Sequence, residues 1–205
     1  MFKVGVVIFP GSNCDQETIK FLNTYEEFEV TTIWHKESNI PKLDMYVLPG
    51  GFSYGDYLRS GKLASLSPVM NDIEKYAKDG RKILGICNGF QILCERKILP
   101  GTLNRNDTLK FICREVELYD NHLKYITVPI AHGDGQFYCN DKDHFNFEVA
   151  WRYKPPIPNG SLHAIAGIYN NEGNVLGLMP HPERAFEEYH KSKDGYKILN
   201  TFLSR

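Results

Sequence analysis

No window of this sequence approaches the roughly 20 consecutive apolar residues of a membrane-spanning helix. The apolar run in MFKVGVVIFPGS stops at Pro10, too soon for the core of a signal peptide. Neither sign of charge dominates: 24 Lys and Arg face 25 Asp and Glu, for a net charge of -1. That balance gives no electrostatic footprint for nucleic acid or an anionic membrane surface. Cysteines are scattered and odd in number, namely Cys14, Cys87, Cys94, Cys113 and Cys139, which argues against a disulfide framework. There is no CxxC pair and no HExxH, so zinc lacks its usual ligand spacing and no metal site is expected. A phosphate loop of the G-x-x-x-x-G-K-[ST] form is missing too, so no ATP site is expected in this chain. Repeats, low-complexity tracts and a linker are likewise missing. The expectation is a soluble, cytoplasmic protein with one domain over residues 1–205, long enough to bury a substantial core.

What is present alternates in its first half. KVGVVIF (3–9) is a continuous apolar run that reads as a strand buried on both faces. DQETIKFLNTY (15–25) has helical spacing at Ile19, Leu22 and Tyr25. FEVTTIW (28–34), MYVLP (45–49) and KILGI (82–86) read as further strands. Ser67-Pro68 reads as an N-cap followed by proline at the first helical position, with Val69, Met70, Ile73, Tyr76 and Ala77 on one face. A helix begins near Asn88. This order predicts an α/β fold with a mostly parallel central sheet flanked by helices. From about residue 108 to 177 short strands follow: LKFICREVELY, KYITVPI, FEVAWRY, SLHAIAGIY and NVLGLM. They predict added antiparallel strands, and DGYKILNTFLSR (194–205) closes the chain as a helix. Ligands of such sheets bind beyond the carboxyl ends of the strands.

One of those ends is Gly85-Ile86-Cys87-Asn88-Gly89. A nucleophile held between glycines at a strand-to-helix turn projects from the top of the sheet, at a helix N-terminus that favours negative charge. The same pattern also serves a buried cysteine in a turn tightened for packing. A thiolate nucleophile needs a proton carrier. LMPHPER (178–184) offers His181, with Glu183 two residues on. An extended segment puts both on one side, where a carboxylate could hold the imidazole tautomer. A turn histidine and a solvated glutamate are the plainer alternative. Gly50 and Gly51 follow the third strand, and their backbone N–H groups with that of Asn88 could form an oxyanion hole. An ordinary glycine turn would look the same.

Together, ILGICNGFQIL and HPE resemble the class I (triad-type) glutamine amidotransferases. PGSNCD, GGFSYGDYLR, PIAHGDGQF and PNGSLHAIAGIYNNEGNVLGLMPHPER resemble, more narrowly, the glutaminase subunits of phosphoribosylformylglycinamidine (FGAM) synthase. The resemblance covers nearly the whole chain and implies a flavodoxin-like class I amidotransferase fold. It implies a triad of Cys87, His181 and Glu183, an oxyanion hole around Gly50, Gly51 and Asn88, and a glutamine site helped by Gln91, His132 and Gly133. L-Glutamine would be hydrolysed through a cysteine thioester. The ammonia would pass to a larger ATP-dependent synthetase subunit, with a small bridging subunit in many bacteria. ATP and Mg²⁺ would belong to that partner, leaving no cofactor in this subunit. The family usually has HGEGRF where this chain has His132-Gly133-Asp134-Gly135-Gln136-Phe137. Asp134 keeps the carboxylate on a shorter arm, Gln136 loses a charge, and Lys62 stands where alanine is expected.

Two enzyme alternatives are weaker. The glutaminase of pyridoxal phosphate synthesis lacks a GGFSYGDYLR segment, and DJ-1/PfpI-like cysteine proteins place a histidine beside the elbow, where this chain has Asn88. A scaffold role would need a broken triad. Tyr54, Asp56, Tyr57 and Arg59 could line the synthetase interface or simply hold a surface loop. Cys94 and Cys113 are expected to pack, and His35, His122, His144, His163 and His190 to be surface or packing residues; Cys14 sits in a strand-end loop that could face the pocket or the partner, with a structural role as the working expectation.

Overall fold

The computed structural model describes residues 1–140 and 146–205; His144 lies outside the described residues. The first half alternates as its sequence pattern requires: β1 (Phe2–Ile8), α1 (Asp15–Leu22), β2 (Phe28–Trp34), β3 (Met45–Leu48), α2 (Val69–Lys78), β4 (Lys82–Ile86) and α3 (Asn88–Glu95). There follow β5 (Thr102–Asn104), β6 (Ile112–Tyr119), β7 (Tyr125–His132), β8 (Gln136–Tyr138), β9 (Phe147–Tyr153), β10 (Ile165–Asn170), β11 (Val175–Leu178) and α4 (Gly195–Leu203).

Nine strands form one sheet in the order β2-β1-β3-β4-β11-β10-β9-β6-β7, and β5 pairs with β8 as a separate ribbon. The pairings from β2 to β11 are parallel, and those from β11 to β7 are antiparallel. Unbroken apolar runs such as Met45–Leu48 are buried at every position, as expected for strands with covered faces. Helices α1 and α4 meet through Phe21 and Tyr196. Helices α2 and α3 meet through Arg96, which bonds Glu74 and Asn71. Val69, Met70, Ile73 and Tyr76 are the buried face of α2, and Tyr76 stacks on Tyr46 of β3.

Four sequence expectations are corrected. Helix α1 ends at Leu22, with Asn23 as its C-cap, instead of reaching Tyr25. Ser67 does not cap α2: its hydroxyl lies 3.2 Å from His35 Nδ1 and 3.4 Å from the Tyr54 hydroxyl, and Pro68 holds the cap position. Strand β10 starts only at Ile165, because Leu162–Ala164 form a 3₁₀ turn with His163 at φ 51. Cys113 lies on β6 but is exposed, whereas Cys94 packs in the core as expected. None of the five cysteines forms a disulfide.

Candidate active site

The parallel register places the chemistry. Leu178 of β11 pairs with Ile86 of β4, so Cys87 and the Met179-Pro180-His181 segment leave adjacent strands at the same end of the sheet. Leu48 of β3 pairs with Gly85, which brings Gly50 and Gly51 to that end as well. Cys87 has φ 49 and ψ -101, a conformation rare outside glycine, and its N–H donates to Leu178 O at 2.7 Å. This is the strained turn that lifts a nucleophile above a sheet. It depends on Gly89, where an added Cβ would sit 2.0 Å from Leu48 O.

His181 is extended, with φ -105 and ψ 90, and its N–H donates to Pro129 O at 2.9 Å. The segment does not continue extended through Glu183. Pro182–Arg184 form a 3₁₀ turn, and that turn brings the carboxylate back to the ring, so His181 Nδ1 donates to Glu183 Oε1 at 2.6 Å. Both residues are 1% exposed. Burial opposes a charged imidazole here, but the Glu183 carboxylate and the Cys87 sulfur beside the ring outweigh it, and the proton affinity of His181 is raised. His181 Nε2 and Glu183 Oε2 are buried and make no hydrogen bond of their own.

Cys87, Gly51, Gln91, His132 and Gly133 line one cavity of about 600 Å³, of a size usual for small-molecule sites. Gly50, Asn88, His181 and Glu183 are not among the residues that line it. A larger cavity of about 850 Å³ opens near Lys82 and Val175, at the opposite ends of β4 and β11. It is remote from the elbow cysteine, and we place the site in the smaller one.

The amide of Gln91 is committed to the protein at both ends. It donates to Asp134 O at 2.7 Å and accepts from Asn88 Nδ2 at 2.9 Å. Asn88 Oδ1 also accepts from Ser53 N–H at 3.2 Å. Gln91 thus ties α3 to the loop after β7, while Gly51, at φ 124, gives the facing loop its backbone path. Buried His132 is held with a proton affinity well below the usual histidine range, at a pKa of about 4, by its burial first and the charge on His181 second. Its Nδ1 lies 3.0 Å from Asn106 Oδ1.

Several organising residues carry no local signal in the sequence. Asn106, fully buried, donates to the carbonyls of Lys110 and His132 and accepts from Gly135 N–H. Ser161 and Asn159 both reach Gly135 O. Their only signal is the PNGS segment quoted above. Asp134 accepts from Ser60 Oγ at 2.7 Å, and Gln136 Nε2 donates to Gly160 O at 3.0 Å. Asp56 and Arg59 line the cavity, whereas Tyr54 turns inward to His35 at 2.9 Å. Burial pushes the Asp56 carboxyl up to about 6 against a hydrogen bond from Ser60, and Asp134 adds to the rise. Of the placements open to its strand-end loop, Cys14 takes the one that faces the triad side. Its sulfur, a His181 ring nitrogen and a Glu183 oxygen all lie within 4.8 Å of one another.

A cysteine on a strained strand-to-helix elbow, a buried histidine–carboxylate pair and a cavity opening on the sulfur define a class: an α/β enzyme of cysteine-dependent acyl transfer. A family model for the CobB/CobQ-like glutamine amidotransferase domain matches residues 1–198. The chain is 43% identical to the phosphoribosylformylglycinamidine synthase subunit PurQ of Salinibacter ruber, over 98% of this chain and 96% of that one. It is 45% identical to the PurQ subunit of a Nostoc species, over 99% and 97%. The structure of PurLQS from Thermotoga maritima contains a chain that superposes with a TM-score of 0.90 at 40% identity, covering 99% of this chain and 98% of that one. The protein belongs to the CobB/CobQ-like glutamine amidotransferases, within them to the PurQ subunits. Among the described residues, no helix is long and apolar enough to cross a membrane.

Proposed function

We propose that this chain is the glutaminase subunit of an FGAM synthase, supplying ammonia for de novo purine synthesis in the cytoplasm. One observation carries the assignment of roles: the β4–β11 register that sets the Cys87 elbow beside the buried His181–Glu183 pair, with the cavity opening on the sulfur. Cys87, as thiolate, attacks the carboxamide carbon of L-glutamine. Backbone N–H groups of Gly50, Gly51 and Asn88 receive the developing oxyanion. Imidazolium His181 protonates the leaving nitrogen of the tetrahedral intermediate, the C–N bond breaks, and ammonia departs to leave a glutamyl thioester on Cys87. Neutral His181 then takes a proton from water, whose oxygen attacks the thioester. Glutamate leaves, and the thiolate–imidazolium pair is restored. Glu183 holds the ring through Nδ1 throughout. Gln91, His132 and Gly133 shape the wall against which glutamine lies.

The PurLQS assembly of the Thermotoga protein supports association of this chain with a synthetase subunit and a small third subunit. The amination of formylglycinamide ribonucleotide, with its ATP and Mg²⁺, belongs to that synthetase. The pyridoxal phosphate glutaminase and DJ-1/PfpI readings give way to this one, because the PurQ likeness runs over nearly the full length of both chains.

The test is release of glutamate and ammonia from glutamine, by the chain alone and with its synthetase partners, nucleotide substrate and ATP. Stimulation by the partners, abolished in Cys87→Ala with an unchanged circular dichroism spectrum, is the expected outcome. Normal turnover in that variant would move the nucleophile elsewhere.

A further inference from the structure

Cys14 has no part in the mechanism above, yet the fold brings it against the triad. It ends the loop between β1 and α1, 167 residues before His181 in the chain, and is 5% exposed. A methyl group on Gly50 would lie 3.3 Å from Cys14 Sγ, 2.8 Å from His181 Cε1 and 3.4 Å from His181 Nδ1, so the sulfur and the imidazole close on the same side of the Gly50 turn. Glu183 completes the group, and its Oε2 is buried with no hydrogen bond. An unpartnered carboxylate oxygen inside a protein is costly unless a donor or cation meets it.

We infer that Cys14, His181 and Glu183 form a binding site for a thiophilic divalent cation such as Zn²⁺. The donor set, one sulfur, one imidazole nitrogen and one carboxylate oxygen, suits Zn²⁺. Bond lengths of about 2.0–2.3 Å in a tetrahedron place ligand atoms about 3.3–3.8 Å apart. The present atoms, within 4.8 Å of one another, come to that spacing by a shift of about 1 Å. Charge balances as well. A Cys14 thiolate and the Glu183 carboxylate match the two charges of the ion. Arg184, whose Nη2 lies 3.2 Å from the same sulfur, has Glu17 at 2.8 Å from its Nε.

Binding displaces two protons to solvent, one from the Cys14 thiol and one from His181 Nδ1, and leaves Nε2–H on the ring. The metal therefore tightens as pH rises. The metal replaces the Nδ1–Oε1 hydrogen bond and fixes the imidazole, so it can no longer shuttle a proton. Occupation is thus inhibitory. That consequence rests on the glutaminase reading above, whereas the binding itself does not.

The full chain, freed of metal and kept reduced, is titrated with Co²⁺ and then Zn²⁺. One equivalent of Co²⁺ is expected to give a near-ultraviolet thiolate-to-cobalt charge-transfer band in the wild type and in Cys87→Ser. The band is expected to be lost in Cys14→Ala and Cys14→Ser, each checked for folding by circular dichroism. The Zn²⁺ concentration that halves glutamine turnover, each variant compared with its own metal-free rate, should rise at least about tenfold in Cys14→Ser. A band that persists without Cys14 and vanishes without Cys87 would put the metal on the elbow sulfur and overturn the proposal. A chain without glutaminase activity would sink the functional reading, and the cobalt band would still decide the site.

Discussion

His181 holds its proton because the Glu183 carboxylate and the Cys87 sulfur together outweigh the cost of burying it. Removing one of them is a direct test. In Glu183→Gln the ring loses its charged partner at Nδ1, so turnover should fall on the order of 10²–10⁴-fold. The active form carries a protonated His181, so the alkaline limb of the pH–rate profile should move to lower pH. A variant with the wild-type limb and rate would remove Glu183 from the site. Asp56 has the opposite character, a carboxyl made reluctant to ionise. Its native value near 6 lies above the ordinary 3.8. The stability this gives is full below about pH 4 and is lost as pH rises through about 6. Asp56→Asn should abolish that loss and stabilise the protein at pH 8 by about 1–2 kcal/mol, after allowance for partial exposure. Urea midpoints at pH 4, 6 and 8 measure it, and a constant difference across that range would refute the cause.

The elbow works because α3 is pressed onto β3, and only glycine at position 89 permits the approach. Gly89→Ala drives a methyl group into Leu48 O, so the helix must retreat. The expected cost is about 1–3 kcal/mol in urea unfolding, with turnover lost more completely than stability because Cys87 shifts with the helix. Unimpaired turnover would show that the elbow tolerates displacement. The contacts behind this prediction differ in how far they were legible. The strands of the first half and the helix at Asn88 follow from apolar runs and glycine spacing: β2 and β4 match their expected bounds, and α3 starts where expected. Strands β5 and β8 have three residues each, too few to carry a period. The Ser67 cap failed because a tertiary hydrogen bond to His35 took its hydroxyl. Cys87, His181 and Glu183 stood out by spacing, but the 3₁₀ turn joining the last two is set by Pro182 and the packing behind it. Asn106 and Cys14 act across 26 and 167 residues of chain, a separation no local pattern encodes.

Over the whole molecule, the cavity mouth is where polarity and function meet. Phe52, Leu58 and Phe111 line it while 43%, 74% and 54% exposed, and Tyr57 beside them is 72% exposed. Apolar side chains gathered at the rim of a catalytic cavity mark a surface that another protein covers. On the proposed function, ammonia is released into this cavity for the synthetase, so the synthetase is expected to dock over the same mouth. With a net charge of -1 the chain offers little long-range steering, which leaves the affinity to such contacts. Tyr57 is largely exposed and does not line the cavity. Tyr57→Ser should therefore leave the urea midpoint and the slow turnover of the free chain in place while weakening assembly with the synthetase about tenfold. Analytical ultracentrifugation gives the affinity, and ammonia-coupled FGAM formation gives its consequence: the variant should need more chain to reach the same maximal rate. Wild-type affinity in Tyr57→Ser, with the fold intact, would move the docking surface away from the cavity mouth.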